Sequence, residues 1–509
     1  MFSDYLPWWG MLILACHFSL LIILSIFGLH RISMVFRWFL YKDKTNETAI
    51  KFKNLPKITV QIPLFNERMV AQRIIDTVAE IDYPNELLQI QIVDDSTDET
   101  LTIAASRVKY FQDQGVNISH VTRLHRQGYK AGALKEAMKC ASGEFIAIFD
   151  ADFIPHPSLL RDTIHEFTQQ DVGMLQFRWG HLNRQNSHLT EIQAVMLDAH
   201  FGLEQQVRNN SGMLLNFNGT AGMWRTQAIL DAGNWSADTL TEDLDLSYRA
   251  QLKGWKMHYL NNVVCHGELP ADINAFKSQQ HRWAKGGVQV MKKMLGKVWR
   301  SPIPLKVKIE STFHLSNNLA YLVVLVDTLI FLLPSIWIRE VYQLKTMLWL
   351  DIPFLVLSSG GHLSYLVFGQ VALKHSLRKA LLNIPRLIIM GIKLAFNNAN
   401  AAVEALRGQQ SEFVRTPKSG ELSDNAVPFE HVQKATTEIS TPAQKFNLYQ
   451  AVPPKGALLE LALALTYSVV FLWAVYQEMW LLLPFIFLLI YGATSATKHS
   501  FVSYLKLSK

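Results

Sequence analysis

The chain has 509 residues, of which 49% are hydrophobic and 18% are charged, and its formal net charge is +7. These averages resemble a soluble protein, but the apolar residues are concentrated in long blocks near the two ends. The Lys and Arg residues cluster beside those blocks, which favours a membrane surface over nucleic acid as partner. The three cysteines, Cys16, Cys140 and Cys265, lack metal-site spacing and fit a reducing compartment.

The first apolar block covers residues 8–29, enough for the roughly 20 residues that a membrane-spanning helix needs. No basic segment precedes it, whereas Arg31, Arg37 and Lys42 follow it, so the positive-inside rule predicts that the chain enters the cytoplasm here. We expect a retained anchor, and a cleaved signal peptide is the alternative.

Residues 51–300 show the alternation of an α/β domain. Short apolar runs predict buried strands at 58–63, 89–93 and 144–149, and helical patterns occupy 69–80, 98–111 and 131–141. Strands that alternate with helices of this length predict a mostly parallel sheet. Ligands bind such sheets at the carboxyl ends of the strands.

A membrane region is predicted after residue 300. Its spans are 315–338, 348–371, 456–476 and 480–496, which gives five crossings with the first block and leaves the C-terminus inside. The segment 381–402 contains Arg386 and Lys393, so we expect an amphipathic helix on the inner surface rather than a further span. The polar stretch 407–454 is a predicted cytoplasmic loop. Asp327 lies near the middle of a span, where a carboxylate is expected to face a neighbouring helix or a polar path.

Two acidic pairs follow predicted strands. Asp150 and Asp152 flank Ala151 after the strand 144–149, where alternate carboxylates can hold a hard divalent cation together with substrate phosphates. A polar turn that opens the next helix is the alternative. Asp94 and Asp95 follow the strand 89–93 and could bind a nucleobase or ribose. Ser96 and Glu99 also have the spacing of a helix capping box. A capping box would explain the residues from Ser96 to Glu99 but would leave the two aspartates unexplained.

Two further motifs lie on predicted helices. In Thr241-Glu242-Asp243 the threonine is a candidate N-cap and the acids favour the positive end of the helix dipole. The same place suits a catalytic base whose pKa is raised by burial. Gln279–Trp283 lies in a basic amphipathic helix at 273–298. Its cations could meet anionic lipids, or Arg282 could bind a diphosphate and Trp283 a sugar ring.

Together these motifs resemble the D…DxD…TED…QxxRW set of the processive family 2 glycosyltransferases, the cellulose-synthase-like membrane enzymes. Residues 63–67 are similar to the family's first strand and loop, and residues 128–134 to the segment before the DxD strand. Residues 217–225 and Gln176–Trp179 are similar to segments of the mannan- and glucan-backbone synthases. Residues 413–418 resemble the gating-loop motif FxVTxK, with Arg415 in place of its Val.

The resemblance implies a GT-A (Rossmann-like) cytoplasmic α/β catalytic domain between transmembrane helices, and a nucleotide-diphosphate sugar donor. It also implies inversion at the anomeric carbon without a covalent intermediate. Asp243 would be the general base, with Glu242 and Asp152 also catalytic, and Asp150 and Asp152 would bind Mg²⁺ or Mn²⁺. The residues that the resemblance assigns to substrate binding are Asp94, Asp95, Pro63, Asn66, Glu67, Lys130, Asp150, Gln279, Arg282 and Trp283.

The predicted division of the chain follows from these assignments. It comprises an N-terminal anchor (1–45), a GT-A domain (46–270), an interfacial helix with QxxRW (271–300), a transmembrane pair (301–375), an interfacial helix with a gating-type loop (376–455) and a C-terminal transmembrane pair (456–509). We expect location in a bacterial inner membrane or a Golgi-type membrane. The expected partners are a nucleotide-diphosphate sugar, a polysaccharide acceptor and membrane lipid.

The predicted reaction is sugar transfer from GDP-mannose or UDP-glucose to a β-linked mannan, glucomannan or glucan that passes across the membrane. Two alternatives remain at this stage. One is a non-processive enzyme that adds a single sugar to a membrane lipid, and the other is a transporter or scaffold with an inactive transferase domain.

Overall fold

The computed structural model describes residues 6–44, 50–411, 413, 415–418, 420 and 457–507. A seven-stranded sheet organises the middle of the chain, with strand order β3-β2-β1-β4-β6-β5-β7. The strands are β1 (Ile58–Leu64), β2 (Leu88–Asp94), β3 (Ile118–Thr122), β4 (Phe145–Ile148), β5 (Val172–His181), β6 (Gly222–Arg225) and β7 (Lys256–Gly267).

The sheet is mixed, and one strand accounts for its antiparallel pairs. β1 pairs in parallel with β2 and β4, β2 with β3, and β5 with β7. β6 runs antiparallel to both β4 and β5. The expectation of a mostly parallel sheet therefore holds for β1, β2, β3 and β4. β6, which lies between β4 and β5, runs in the opposite direction to both.

Helices surround the sheet and continue into the apolar parts of the chain. In the first half they are α1 (Trp8–Tyr41), α2 (Ala71–Ala79), α3 (Thr100–Asp113), α4 (Tyr129–Ala137), α5 (Leu159–Thr163), α6 (His188–Asp198), α7 (Gln206–Ser211), α8 (Thr226–Asp231) and α9 (Glu242–Leu252). In the second half they are α10 (Ile273–Arg300), α11 (Leu305–Ser316), α12 (Leu319–Val326), α13 (Leu332–Val341), α14 (Asp351–Leu355), α15 (Gly361–Ala372), α16 (Leu377–Leu382), α17 (Ile384–Leu406), α18 (Ala457–Tyr476) and α19 (Leu483–Leu507).

Short helical segments of other types complete the described elements. The π-helical segments are Ala199–Gln205, Asp327–Phe331 and Val356–Gly360, and the 3₁₀ segments are Asn85–Leu87, Ile164–Thr168, Lys345–Leu350 and Trp480–Leu482.

Side chains alternate between the two faces of the sheet along each strand, and a hydrophobic core packs against each face. In β4, Phe145 and Ala147 belong to one core with α2 and α3, whereas Ile146 and Ile148 belong to a second core that includes Trp224 and Leu246. Burial on two faces explains why these strands are continuous apolar runs that are readable from sequence.

Five helical stretches among the described residues are long and apolar enough to span a membrane. They are Trp8–Tyr41, Leu319–Val341, Thr346–Ala372, Leu458–Tyr476 and Trp480–Lys498. Asp327 faces a neighbouring helix as expected, since its Oδ1 lies 2.8 Å from Nδ1 of His17. The loop predicted at 407–454 lies outside the described residues beyond position 420, and the cytoplasmic orientation stays a prediction.

Two local expectations are wrong, and a third holds only in part. Ser96 does not cap a helix, because α3 begins at Thr100 and the Ser96 hydroxyl instead accepts a hydrogen bond from the Asn66 amide. Thr241 occupies the N-cap position of α9, with Glu242 and Asp243 in the first turn as expected, but the Thr241 hydroxyl makes no capping bond. Lys277 and Lys285 of α10 do not face lipid; both are buried and paired with glutamates of other helices.

Candidate active site

Three strand ends bring predicted site residues to one edge of the sheet. β1 ends at Leu64, which is in register with Asp94 at the end of β2. β4 lies on the other side of β1 and ends at Ile148, two residues before Asp150. The carboxyl ends of adjacent parallel strands therefore carry the acidic pairs, as the general position of ligand sites in such sheets predicts.

A cavity of ≈ 170 Å³ opens at this edge, and we refer to it as the sheet-edge cavity. The predicted site residues that line it are Pro63, Glu67, Asp95, Lys130, Asp150, Asp152, Glu242, Asp243, Gln279, Arg282 and Trp283. Residues from strand ends, from α4, from the start of α9 and from the middle of α10 thus converge on one space. Their individual roles stay predictions.

Asp94 and Asn66 do not line the cavity. Asp94 accepts a hydrogen bond from the Ser96 amide at 2.8 Å and contacts Nε2 of His120 at 2.9 Å. The side-chain Oδ1 of Asn66 accepts a hydrogen bond from the Thr97 backbone amide at 2.8 Å. In this conformation Asn66 connects the loops that follow β1 and β2, whereas Asp94 contacts the loop after β2 and His120 of β3. The assignment of both residues to substrate binding remains a prediction.

Asp95 is held by an arginine that was not among the sequence-based candidates. Arg123 donates to both carboxylate oxygens of Asp95, with Nε–Oδ1 at 2.9 Å and Nη2–Oδ2 at 2.5 Å. Arg126 lines the same cavity and lies over the ring of Phe65. Both arginines stand just before the segment 128–134, and their spacing gave no signal that they would reach the ends of β1 and β2.

Lys130 connects the acidic residues of two different elements. Its Nζ lies 2.5 Å from Oδ1 of Asp150 and donates to the Gly219 carbonyl oxygen at 2.9 Å. Burial alone would lower the pKa of Lys130, but the carboxylates of Asp150 and Glu242 raise it, so the side chain remains a cation. A fixed positive charge therefore lies between the DxD segment and the start of α9.

Asp243 has the environment of a base that works near neutral pH. Burial, followed by the neighbouring Glu242 carboxylate, raises the pKa of Asp243 to about 7. Burial also raises the pKa of Glu242, and Lys130 opposes that shift. Gly219 adopts a positive φ of 80°, and a Cβ at this position would lie 3.0 Å from Oδ2 of Asp243. Any side chain at position 219 would therefore crowd the Asp243 carboxylate, and a glycine leaves that carboxylate open to a substrate.

Arg282 and Trp283 face the carboxylates from α10. The Arg282 guanidinium carbon lies 4.4 Å from the ring centroid of Phe413, and the ring of Trp283 lies 6.5 Å from that of Trp179. Trp179 is in turn stacked on Phe201 at 4.8 Å. The cavity thus has a cationic and aromatic wall opposite its acidic wall, which suits a diphosphate and a sugar ring.

Two described residues of the gating-type segment, Arg415 and Lys418, lie against the acidic wall. Nζ of Lys418 is 2.7 Å from Oδ2 of Asp152, and Nε of Arg415 is 3.3 Å from Oε1 of Glu67. Burial raises the pKa of Glu67 to about 7, Arg415 opposes the shift, and Asp152 and Asp150 add to it. The arginine that departs from the FxVTxK pattern is therefore paired with a carboxylate of the first loop.

The acidic wall fits a divalent cation that shares its ligands with a substrate. The described residues contain no group of three or more His, Cys, Asp or Glu side chains placed to hold a metal ion. Mg²⁺ commonly uses one or two carboxylates and takes its other ligands from water and phosphates. Asp150 and Asp152 provide such a pair, and in this structure one oxygen of each is paired with an ammonium group, Asp150 with Lys130 and Asp152 with Lys418.

Comparison with known proteins identifies the domain that contains this site. Residues 56–286 match the family described as glycosyltransferase like family 2. Glucomannan 4-beta-mannosyltransferase 1 of Oryza sativa subsp. japonica is 42% identical over 268 residues, which cover 52% of this chain and 51% of that protein. Glucomannan 4-beta-mannosyltransferase 2 of Arabidopsis thaliana is 41% identical over 253 residues, or 49% and 47% of the two chains. The match thus spans about half the length of these relatives.

Among solved structures, the mannosyltransferase PcManGT from Pyrobaculum calidifontis in complex with GDP-Man and Mn²⁺ is similar, with a TM-score of 0.49 and 18% identity. The likeness covers 79% of this chain and 99% of that one. The resemblance drawn from the motifs is confirmed by the family match and the curated relatives. Residues 56–286 match a family 2 glycosyltransferase domain, and apolar helices flank this part of the chain.

Proposed function

We propose that the protein is a membrane-embedded, inverting glycosyltransferase that extends a β-linked mannan, glucomannan or glucan from a nucleotide-diphosphate sugar. The observation that carries the proposal is the position of Asp243, a half-buried carboxylate with a pKa raised to about 7, in the same cavity as Asp150, Asp152 and Arg282. The curated relatives named as glucomannan 4-beta-mannosyltransferases support a mannosyl or glucosyl donor.

In the proposed reaction, the acceptor hydroxyl attacks the anomeric carbon of the donor while Asp243 removes the hydroxyl proton. A carbon–oxygen bond forms to the acceptor, and the bond to the diphosphate breaks with its electron pair on the departing phosphate oxygen. Arg282 and Lys130 stabilise the negative charge that develops there. Because the attack is direct, the configuration at the anomeric carbon is inverted and no covalent enzyme intermediate forms.

Binding groups on the two walls hold the substrates for this attack. Asp95 and its partner Arg123 lie at the nucleotide end of the proposed site, and Trp283 with Gln279 at the acceptor end. Asp150 and Asp152 would hold Mg²⁺ or Mn²⁺, which would neutralise the diphosphate as a Lewis acid when bound. Binding both substrates in a fixed orientation raises the rate, because the translational and rotational entropy of bringing them together is lost on binding and not in the reaction step.

We further propose that the catalytic domain is cytoplasmic and that the product enters the membrane region formed by the flanking helices. Two features support this. Basic residues flank the predicted spans on the side assigned to the cytoplasm. A second cavity of ≈ 460 Å³ lies among the apolar helices and includes the aromatic side chains of Phe27, Tyr321 and Tyr467.

The purified full-length protein tests the proposal in a comparison with the variant Asp243→Asn. Wild type is expected to transfer labelled sugar from one of GDP-mannose or UDP-glucose in the presence of Mn²⁺, and Asp243→Asn is expected to bind the donor but transfer little. Elongation by Asp243→Asn at the wild-type rate would refute the mechanism. Transfer from neither donor by folded wild-type protein would refute the proposed function.

A further inference from the structure

Helix α10 (Ile273–Arg300) presents two different faces. At 100° per residue, Gln279, Arg282 and Trp283 lie roughly 140–240° around the helix from Lys277. Lys277, His281 and Lys285 lie together within about 80° of one another on the other side. The first face lines the sheet-edge cavity, and the second packs against helices from the C-terminal part of the chain.

The cavity side of α10 is also in close contact with the segment that carries Asp243. A Cβ on Gly286 would lie 2.6 Å from Cγ2 of Thr241 and 2.9 Å from its backbone nitrogen. Gln289 accepts a hydrogen bond from the Leu240 amide at 2.9 Å. Nζ of Lys293 lies 2.8 Å from Oδ1 of Asp245, two residues after Asp243. A shift of α10 would therefore move both walls of the cavity.

Two ion pairs hold the opposite face of α10. Nζ of Lys277 lies 2.8 Å from Oε1 of Glu460 in α18, and the two side chains are 2% and 4% exposed. Nζ of Lys285, 1% exposed, lies 2.9 Å from Oε2 of Glu404 in α17. The Lys277 carbonyl oxygen also accepts a hydrogen bond from Asn397 of α17. We call Lys277–Glu460 and Lys285–Glu404 the α10 ion pairs.

Buried ion pairs contribute little net stability compared with apolar packing, but they specify position, because a displaced partner leaves an uncompensated charge. Lys277–Glu460 is such a pair on both sides, whereas in Lys285–Glu404 the lysine is buried and the Glu404 side chain is 24% exposed. The two pairs constrain one helix at points eight residues apart. Together they fix α10 along its axis and about it. Neither pair touches the cavity, so neither can contact a substrate.

We propose that the α10 ion pairs are positioning devices through which helices α17 and α18 set the placement of Arg282 and Trp283 against Asp243. This proposal rests on the proposed function, because it assigns those three residues to one reaction. It identifies Lys277, Lys285, Glu404 and Glu460 as positioning residues for transfer, and it makes activity depend on a membrane helix that begins 174 residues after Trp283 in the chain.

The test uses full-length protein in lipid nanodiscs with the variants Glu460→Gln and Glu404→Gln. The matched control is Asp76→Asn, which removes the carboxylate partner of Arg107 between α2 and α3, away from α10. Each variant is measured for thermal unfolding, for affinity for the nucleoside diphosphate, and for turnover at saturating donor. Hydrogen exchange of the backbone amides of residues 278–290 gives a readout that does not depend on activity.

We expect Glu460→Gln and Glu404→Gln to bind the nucleoside diphosphate within about twofold of wild type, to lose at least tenfold in turnover, and to exchange faster in residues 278–290. Asp76→Asn should keep wild-type turnover and wild-type exchange in α10. Should a glutamine variant fail to fold, the paired exchange Lys277→Glu with Glu460→Lys is expected to restore folding and part of the turnover.

Two results would overturn the proposal. One is wild-type turnover in both glutamine variants, and the other is a turnover loss that matches their loss of folded protein and of nucleotide affinity. Absence of transfer by the wild-type protein would instead count against the proposed function. In that case unchanged hydrogen exchange across α10 in both variants would still refute the positioning role, and faster exchange would support it.

Discussion

The raised pKa of Asp243 predicts that turnover depends on pH in the neutral range. A general base acts only as the carboxylate, so the rate follows its ionised fraction. With a pKa of about 7, that fraction is about 0.9 at pH 8, about 0.5 at pH 7 and about 0.1 at pH 6. We therefore expect turnover to fall about tenfold between pH 8 and pH 6. A carboxylate with its ordinary pKa of 3.8 would stay ionised, and the profile would be flat.

The assay is the initial rate of sugar transfer at saturating donor and Mn²⁺, measured at half-unit steps from pH 5.5 to 8.5. Glu67 needs a control because its pKa is also raised to about 7. The variant Glu67→Gln should keep the pH step, whereas Asp243→Asn should lose about 10²–10⁴-fold in rate and show no step. A flat wild-type profile from pH 6 to 8, or a step that disappears in Glu67→Gln, would refute the assignment.

Stability gives an independent check on the same pKa. A carboxyl group whose pKa is higher in the folded state than in the unfolded state destabilises the fold once it ionises. The cost begins above the ordinary aspartate pKa of 3.8, grows as pH rises, and is complete above about 7. Asp243→Asn should therefore unfold at a higher temperature than wild type at pH 8, and the difference should vanish near pH 4. A variant that is less stable than wild type at pH 8 would contradict the burial argument.

Further predictions concern α10 and the acidic wall. Gly286→Ala should lower the free energy of unfolding by about 1–3 kcal/mol because the new Cβ would meet Thr241. Gly296→Ala on the same helix has open space around it and should raise the free energy of unfolding by about 0.5–1 kcal/mol. Equal effects of the two variants in denaturant unfolding would contradict the close packing at Gly286. Trp283→Ala should lower turnover roughly tenfold without weakening nucleotide binding, and Trp283→Phe should retain most of the rate, as measured by steady-state kinetics. Asp152→Asn should raise the Mn²⁺ concentration for half-maximal activity by about tenfold or more; an unchanged Mn²⁺ titration would remove Asp152 from the proposed metal site.

The sheet and its acidic edge could be predicted because local sequence determines them. The runs at 58–63 and 89–93 became Ile58–Leu64 and Leu88–Asp94, since strands buried on both faces are apolar throughout. The acidic pairs follow the runs at 89–93 and 144–149, so their meeting at one edge required only the rule for parallel sheets.

Contacts between distant parts of the chain could not be predicted in this way. The capping box at Ser96 and Glu99 has the right spacing, yet the Ser96 hydroxyl bonds to Asn66 from another strand loop. The sequence indicates that Lys277 and Lys285 face lipid, because it does not show their partners, Glu460 and Glu404, which lie more than 100 residues away in the chain. The contact of Lys418 with Asp152 likewise joins residues 266 positions apart.

The most direct test of the central claim is the identity of the product. Purified full-length protein in nanodiscs would receive labelled GDP-mannose and UDP-glucose, separately and together, with Mn²⁺. The proposed function predicts a long product that resists lipid extraction and is cut by a β-mannanase or a β-glucanase. A short labelled product that is extracted into organic solvent would contradict it and identify a glycolipid glycosyltransferase.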